Sequence, residues 1–180
     1  MIHLPAAQHR AQPWKNGLGV SRIIAGVPPD ADFDSVLWQV GSTEITAACP
    51  FSELRGLDRQ FMVIGGAGVE LTSIDDGGAT RRAQVVAMQP PYSFRGDWKT
   101  NCRMLGGQVR VLNVVTRRGR AEAKVEFTQE RTLKKAKRET LLAVQLDNLD
   151  AWLLSDPSEI VELPAATGRV AVVRIRATNP

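Results

Sequence analysis

Short strand-like segments separated by turn residues are the feature of this sequence that most limits its fold. From residue 36 onward, runs rich in β-branched and apolar residues recur at short intervals, with Gly, Pro and Asp between them. Such punctuated runs predict strands that are joined by tight turns. Eleven strands are predicted, at 36–46, 60–64, 68–74, 82–88, 102–105, 108–116, 122–128, 140–146, 150–154, 159–163 and 169–177.

Glycine-rich and acidic turns separate several of these predicted strands. The segments GGAG at 65–68 and DDGG at 75–78 supply residues that tolerate positive φ, which tight strand reversals require. No amphipathic helices alternate with the strands, so the pattern favours a barrel or a sandwich over a βαβ sheet. We expect one compact unit over residues 1–180, with an internal seam near 116–122.

One stretch, 129–139, has some helical character. Glu130 precedes Lys134 by four residues, and Lys135 precedes Glu139 by four, a spacing at which opposite charges stabilise a helix. One short helix or a long turn is expected there. The predicted fold class is otherwise all-β, with at most one or two short helices.

Composition and charge limit the classes of partner. The 180 residues are 43% hydrophobic, which is enough for a stable core, and no apolar run approaches the roughly 18 residues of a membrane span. The N-terminus has no apolar signal segment, so we expect a soluble, cytoplasmic protein with no membrane partner. The formal charge of +4 favours an anionic ligand. The basic segment 131–138 has no interleaved aromatic residues, which disfavours nucleic acid as a partner, and a homodimer is left open.

The cysteines and histidines do not form a recognisable metal or nucleophile motif. Cys49 and Cys102 lie far apart, and buried small hydrophobes are their favoured interpretation, although a disulfide between them stays open. The only histidines, His3 and His9, precede the first strong strand and cannot supply the usual cupin metal ligands from the strands. A serine or cysteine in the body of the chain also lacks a histidine base. We therefore predict no metal, no cofactor and no catalytic residue of these types.

The segment PWKNGLGVS at 13–21 has the glycines of a nucleotide loop but not their order. A Walker A loop places its lysine after the second glycine, whereas Lys15 precedes both Gly17 and Gly19. A dinucleotide fingerprint needs a third glycine and a following helix, and the residues that follow here are strand-like. We expect the segment to turn the chain into a strand and to present Lys15 and Asn16 at a barrel mouth.

Polar residues that lie beside or within predicted strands are candidates for holding a ligand. Lys15 and Asn16 come from the glycine segment, and Arg59 stands at the start of a strand. Asn113 alternates with valines and so shares their face, which is costly inside a core unless the amide has partners. An arginine can hold a carboxylate through two parallel hydrogen bonds. Together on a barrel, these four side chains suit a small organic anion.

An acid/base enzyme that needs no metal is an open alternative. Glu44 lies in a predicted strand near candidate pocket residues, and a carboxylate in that position can transfer protons. Lys15 and Asp58 are further candidates for the same chemistry. The alternative is therefore a small-molecule isomerase or hydrolase, and a nucleic-acid-binding barrel is the second alternative.

Four segments carry a family resemblance. They are PWKNGLGVSRI at 13–23, PFSELRGLDRQFMVIGGAGVEL at 50–71, PYSFRGD at 91–97 and CRMLGGQVRVLNVVTRRG at 102–119. Together they are similar to the HutD/Ves family of bacterial cupin-like proteins. The resemblance implies a bicupin, in which two RmlC-type jelly-roll barrels form one unit without the metal histidines of enzymatic cupins.

The resemblance also implies a function and a ligand site. It associates the chain with histidine utilisation or its control, and with binding of a formylglutamate-like carboxylate. The expected protein is thus a metal-independent, non-catalytic cupin that binds a small organic anion. The site residues expected from the motifs and from the polar candidates are Lys15, Asn16, Gly17, Gly19, Glu44, Phe51, Arg59 and Asn113.

The sequence departs from the family pattern at two acidic positions. Where the pattern reads Thr-x-Glu-Ile after the glycines, Ile23 takes the place of the acid. Where it reads Asp-x-Asn, Val111 takes the place of the aspartate before Asn113. Losing two carboxylates predicts a more positive pocket that is less able to hold an amine or a hydroxyl of a ligand.

Overall fold

The computed structural model describes residues 1–14, 19–164 and 168–178, and almost all regular structure in them is β. The only helical element in these ranges is a single 3-10 turn at Ala6–Gln8. In chain order the strands are β1 (Ile2–Leu4), β2 (Arg10–Pro13), β3 (Val20–Val27), β4 (Trp38–Ile45), β5 (Cys49–Pro50), β6 (Leu57–Gly65), β7 (Val69–Ile74), β8 (Thr80–Val85), β9 (Tyr92–Arg95), β10 (Lys99–Met104), β11 (Val109–Arg117), β12 (Ala121–Thr128), β13 (Thr132–Lys134), β14 (Thr140–Gln145), β15 (Ala151–Leu154), β16 (Ile160–Glu162) and β17 (Val170–Ala177).

The chain forms two compact units. The central unit comprises Arg10–Arg118, and the flanking unit comprises Met1–His9 with Gly119–Pro180. All strand pairs in both units are antiparallel. No described helix has the length and apolar character needed to cross a membrane.

Two antiparallel sheets enclose the core of the central unit. The larger sheet has the strand order β2-β3-β4-β11-β6-β9, and the smaller has the order β5-β10-β7-β8. Alternate residues of β6 face the same side, so Phe61 and Val63 both enter the core. They pack in one cluster with Leu71 and Cys102 from the smaller sheet. Burial of these side chains holds the two sheets face to face.

The flanking unit has a five-stranded sheet, β1-β15-β14-β17-β12, and a two-stranded ribbon, β13-β16. Aliphatic side chains from both, together with Trp152, fill its core. The neighbouring strands β14 and β17 are buried along most of their lengths, which explains their nearly continuous apolar sequences. This unit is therefore packed with hydrophobic side chains.

The segment 129–139, for which one short helix or a long turn is expected, contains no helix. Thr132–Lys134 instead forms strand β13, which pairs with β16. Glu139 is buried and accepts hydrogen bonds from the Ala136 amide and the Arg174 guanidinium, both at 2.7 Å. The two hydrogen bonds of the Glu139 carboxylate are charge-assisted. They stabilise this structure more than the weak ion pair between Lys135 and Glu139 would stabilise a helix.

A glycine in the turn between β6 and β7 gives a test of the central unit. Gly66 has φ of +90°, and a Cβ there would overlap the carbonyl oxygen of Gln108. We expect Gly66→Ala to reduce the free energy of unfolding by about 1–3 kcal/mol, because the strain adds to the steric overlap. Urea denaturation measures the change. Gly107→Ala is the control, since open space surrounds that position, and an equal loss in both variants would contradict the explanation.

The two cysteines face each other across β5 and β10, where Cys49 and Cys102 are direct Cα partners, and both are free thiols. Burial raises the pKa of Cys49, and burial together with Cys49 raises the pKa of Cys102 to about 12. We expect maleimide to label Cys49 faster than Cys102, with rates that increase with pH because only the thiolate reacts. The variants Cys49→Ser and Cys102→Ser each retain one thiol, and mass spectrometry measures its labelling rate. Equal rates for the two thiols would contradict this expectation.

Candidate functional site

A cavity opens inside the central unit and contains about 520 Å³ of empty space, counting its mouth. Its wall is mainly apolar, with a few polar groups from four strands and the loop after β5. This composition is typical of a pocket for a small organic molecule, in which isolated polar groups orient the ligand. The lining residues are Trp14, Ser21, Phe33, Thr43, Ile45, Phe51, Ser52, Leu54, Arg59, Phe61, Val111 and Asn113.

The strand register of the larger sheet places the polar residues on one face. Asn113 on β11 lies opposite Gly41 on β4 and Phe61 on β6. Thr43, two residues from Gly41, lies opposite Ser21 on β3. Cross-strand partners share a face of the sheet, and residues two apart on a strand do so as well. The register therefore brings side chains from distant parts of the sequence into one cavity wall.

Arg59 is a buried cation that forms no ion pair with any described carboxylate. Its side chain lines the cavity and only 8% of the residue is exposed. Within the described ranges, no acidic group forms an ion pair with it and its Nε–H has no acceptor. The preceding residue, Asp58, accepts a 2.8 Å hydrogen bond from Arg118 instead. The guanidinium thus retains hydrogen-bonding capacity toward a ligand.

Aromatic rings and one amide hold the guanidinium of Arg59. Its Cζ lies 5.0 Å from the ring centroids of both Phe51 and Phe94, within the range of a cation–π contact. Its Nη2 donates a long, 3.5 Å hydrogen bond to Asn113 Oδ1. Burial lowers the pKa of Arg59 to about 10, so the side chain remains charged at neutral pH.

A chain of hydrogen bonds forms a second polar area of the wall. Trp14 Nε1 donates to Ser21 Oγ at 3.0 Å, and Ser21 Oγ shares a 2.7 Å hydrogen bond with Thr43 Oγ1. The Trp14 amide also donates to the Gly19 carbonyl at 2.9 Å. A Cβ at Gly19 would lie 3.1 Å from the Trp14 indole, so glycine allows the ring to pack closely. These contacts fix the indole at the cavity wall.

The structure brings together three of the predicted site residues. Phe51, Arg59 and Asn113 line one cavity, and Gly19 supports it through its contact with Trp14. Lys15, Asn16 and Gly17 lie outside the described residues.

Glu44 has a different position from these residues. It lies on the opposite face of β4 from Thr43, is exposed, and is 3.5 Å from the guanidinium of Arg110. It borders a smaller recess of about 350 Å³ beside Cys49. Asp58 is engaged by Arg118, and neither acid is among the described lining residues of the main cavity.

Several lining residues were missed by sequence reasoning. Trp14 lies inside the glycine motif, but its indole gives no charge signal. Ser21 and Thr43 alternate with the exposed residues Arg22 and Glu44. This alternation is the sequence pattern that could have indicated that Ser21 and Thr43 face inward. Uncharged hydroxyls on strands are too common to identify a site without the register.

The two acidic positions of the family pattern lie on this same face. Val111 lines the cavity, and buried Ile23 is the cross-strand partner of Gly41 beside Asn113. No acidic residue is among the described lining residues. Among the described residues, no group of three or more His, Cys, Asp or Glu side chains is arranged to hold a metal ion.

The family profile of HutD matches residues 6–167. The chain belongs to the HutD family. Protein Ves of Cronobacter sakazakii is 27% identical over 144 residues, which are 79% of this chain and 74% of that protein. An uncharacterized 21.2 kDa protein in the hutC 3′ region of Pseudomonas putida is 27% identical over 124 residues, covering 69% of this chain and 62% of the relative. The family is thus linked to the histidine-utilisation region.

Solved structures confirm the all-β, cupin-like fold of this HutD-family chain. HutD from Pseudomonas fluorescens SBW25 superposes with a TM-score of 0.76 at 22% identity, covering 99% of both chains. A conserved protein of unknown function from Pseudomonas aeruginosa PAO1 has a TM-score of 0.78 at 22% identity, covering 99% of this chain and 98% of the other. Oxalate decarboxylase of Lactobacillus farciminis, in a formate complex, has a TM-score of 0.58 at 8% identity, covering 100% and 86%.

Removing the buried cation tests its energetic cost. We expect Arg59→Met to raise the free energy of unfolding of the ligand-free protein by about 1 kcal/mol or more, because an apolar side chain of similar length avoids desolvating a charge. Arg118→Met is the matched control. It breaks contacts to Asp58 and Asp97 and should lower stability. Thermal and urea denaturation report both, and destabilisation by Arg59→Met would show that its charge is satisfied within the protein.

Proposed function

We propose that this HutD-family protein binds a small organic carboxylate in the cavity of the central unit and acts in histidine utilisation or its control. The observation that carries the proposal is the buried Arg59 guanidinium, which meets no acidic group among the described residues. A carboxylate bound there would replace the lost hydration and form charge-assisted hydrogen bonds. Binding alone, without catalysis, would give the Arg59 guanidinium an anionic partner.

The ligand class follows from the remaining wall of the cavity. Four aromatic and three aliphatic residues surround the polar groups, so a ligand with a carbon chain can bury apolar surface while its carboxylate meets Arg59. A formylglutamate-like molecule has these features. Among proteins of similar fold, the HutD structure from Pseudomonas fluorescens comes from a formate condition and the oxalate decarboxylase structure is a formate complex, which supports carboxylates as the class to test.

Ligand-dependent stabilisation tests the proposal. Formylglutamate, urocanate and glutamate are screened by differential scanning fluorimetry against the wild-type protein and Arg59→Met. We expect at least one acid to stabilise the wild type, by about 2.7 kcal/mol at one hundred times its Kd, and to leave Arg59→Met unchanged. The control is Arg22→Met, which removes an equal charge from an exposed position of the same sheet.

Three outcomes of this screen distinguish a carboxylate site at Arg59 from a site elsewhere and from no site. Stabilisation that persists in Arg22→Met but not in Arg59→Met supports a site at the buried cation. A wild-type protein that responds to none of the acids contradicts the proposal. A response that survives in Arg59→Met places the carboxylate elsewhere and contradicts the proposal equally.

A further inference from the structure

Two thiols meet across the smaller sheet of the central unit. Cys49 on β5 and Cys102 on β10 are direct cross-strand partners, and partners of this kind share a face of the sheet. Cys102 belongs to the hydrophobic core of the central unit, and Cys49 packs against the same cluster. Both side chains therefore lie on the interior side of the sheet, where both are free thiols.

The backbone hydrogen bonds indicate how far apart these two residues are. The Phe51 amide donates to the Thr100 carbonyl at 2.8 Å, and these residues oppose each other in the same register as the cysteines. Hydrogen-bonded and non-hydrogen-bonded pairs alternate along an antiparallel ladder. Cys49 and Cys102, two residues farther along, are thus a hydrogen-bonded pair with Cα atoms about 5.5 Å apart. A disulfide can span this distance, since it usually joins Cα atoms about 4.4–6.8 Å apart.

The two thiols differ in their access to solvent. Cys102 is only 3% exposed, whereas Cys49 is half-buried and borders the recess of about 350 Å³ beside Glu44. A small oxidant can therefore reach Cys49 first, and Cys102 is the neighbouring thiol that can attack the oxidised sulfur. An accessible cysteine beside a second, resolving cysteine is typical of sites of reversible thiol oxidation.

From this arrangement we infer that Cys49 and Cys102 are a modification site, at which hydrogen peroxide converts the two thiols into a reversible cross-strand disulfide. The Cys49 sulfur attacks one peroxide oxygen, the O–O bond breaks, and Cys49 becomes a sulfenic acid while the first water leaves. The Cys102 sulfur then attacks the Cys49 sulfur, which forms the S–S bond and releases the second water. Two thiols are oxidised, one peroxide is reduced to two waters, and the two thiol protons leave in those waters.

The disulfide would act on the wall of the main cavity. Strand β5 consists of Cys49–Pro50 only, and proline has no N–H group to donate to the ladder. The next residue, Phe51, lines the cavity, and its ring centroid lies 5.0 Å from Cζ of Arg59. A covalent bond between β5 and β10 should therefore reduce local opening of the wall at Phe51. This effect does not depend on the ligand of the cavity.

Burial of the two thiols affects both the rate of oxidation and the stability of the product. Burial raises the pKa of Cys49, and burial together with Cys49 raises the pKa of Cys102 to about 12. Few thiolates are present at neutral pH, so oxidation should be slow. The disulfide should then resist reduction, because stabilised thiolates are what make a disulfide easy to reduce.

Intact mass and peptide mapping test the inference. The wild type, Cys49→Ser and Cys102→Ser are reduced, freed of reductant and treated with hydrogen peroxide, and melting curves verify that the variants are folded. We expect the monomeric wild type to lose the mass of two hydrogen atoms and to yield one peptide pair joined through Cys49 and Cys102. Excess dithiothreitol should restore both thiols. Cys102→Ser should retain a sulfenic acid that dimedone traps, whereas Cys49→Ser should react about tenfold more slowly.

Two properties of the folded wild type should change on oxidation. Its Tm should rise by about 5 °C or more, because the disulfide restrains the unfolded chain. The Phe51 amide, which donates to Thr100, should exchange its hydrogen for deuterium about tenfold more slowly. Peroxide-treated Cys102→Ser is the matched control, and it should show neither change.

The inference is overturned if peroxide leaves both wild-type thiols free, if it converts Cys49 to a sulfinic acid without a disulfide, or if it joins two copies of the chain. An oxidised protein with the same Phe51 exchange rate as the reduced protein would contradict the effect on the cavity wall. Carboxylate binding is tested separately by Arg59→Met, so failure of the disulfide and failure of the proposed function are distinguishable.

Discussion

The buried guanidinium of Arg59 is the constraint around which the cavity wall of the central unit is arranged. A cation removed from water is costly, and the protein offsets part of that cost with the faces of Phe51 and Phe94 and with the side-chain oxygen of Asn113. None of these groups carries a negative charge. The compensation within the described residues is therefore incomplete, and a bound carboxylate would supply the missing part. Under the proposed function, this reduced stability would be the cost of a site that is ready for an anion.

Antiparallel pairing assembles this site from distant parts of the chain. Ser21, Thr43, Arg59 and Asn113 span about ninety residues of sequence, yet their strands β3, β4, β6 and β11 belong to one sheet, in which β3, β4, β11 and β6 are consecutive neighbours. The sheet faces the smaller sheet across a shared hydrophobic core, so polar side chains at one end of that core enter a cavity rather than solvent. The close packing that excludes water elsewhere in the core also makes each hydrogen bond in the cavity stronger.

The sequence predicted most of the long strands, and it missed several of the short ones, including β5 and β13. The segment 108–116 alternates with period two, and it corresponds to β11 at Val109–Arg117, with Asn113 on the cavity face as expected. Strand β5 has only two residues and β13 only three, so neither contains enough residues for a periodic pattern. At 129–139, charge spacing indicated a helix, but burial of Glu139 beside Arg174 determined the structure.

For the site, sequence patterns located charged and amide side chains better than they located hydroxyls. Asn113 was recognisable because its polarity conflicts with the valines with which it alternates, and Arg59 because it stands at the start of a predicted strand. Period two also implies that Glu44 and Thr43 face opposite sides of β4, but it does not say which side is the interior. That choice depends on pairing with Ser21 and Val111, which is a property of the assembled sheet.

The same alternation explains why the substitutions at acidic positions of the family pattern matter for ligand choice. Val111 is the cross-strand partner of Thr43 and lines the cavity, so a carboxylate at that position would stand beside the hydroxyl of Thr43. Such an acid would favour a ligand ammonium group there and would partly neutralise the field of Arg59. With valine instead, no negative charge opposes that of Arg59 among the described lining residues. Apolar replacement at position 111 thus leaves Arg59 as the one charged side chain among the described lining residues of the cavity.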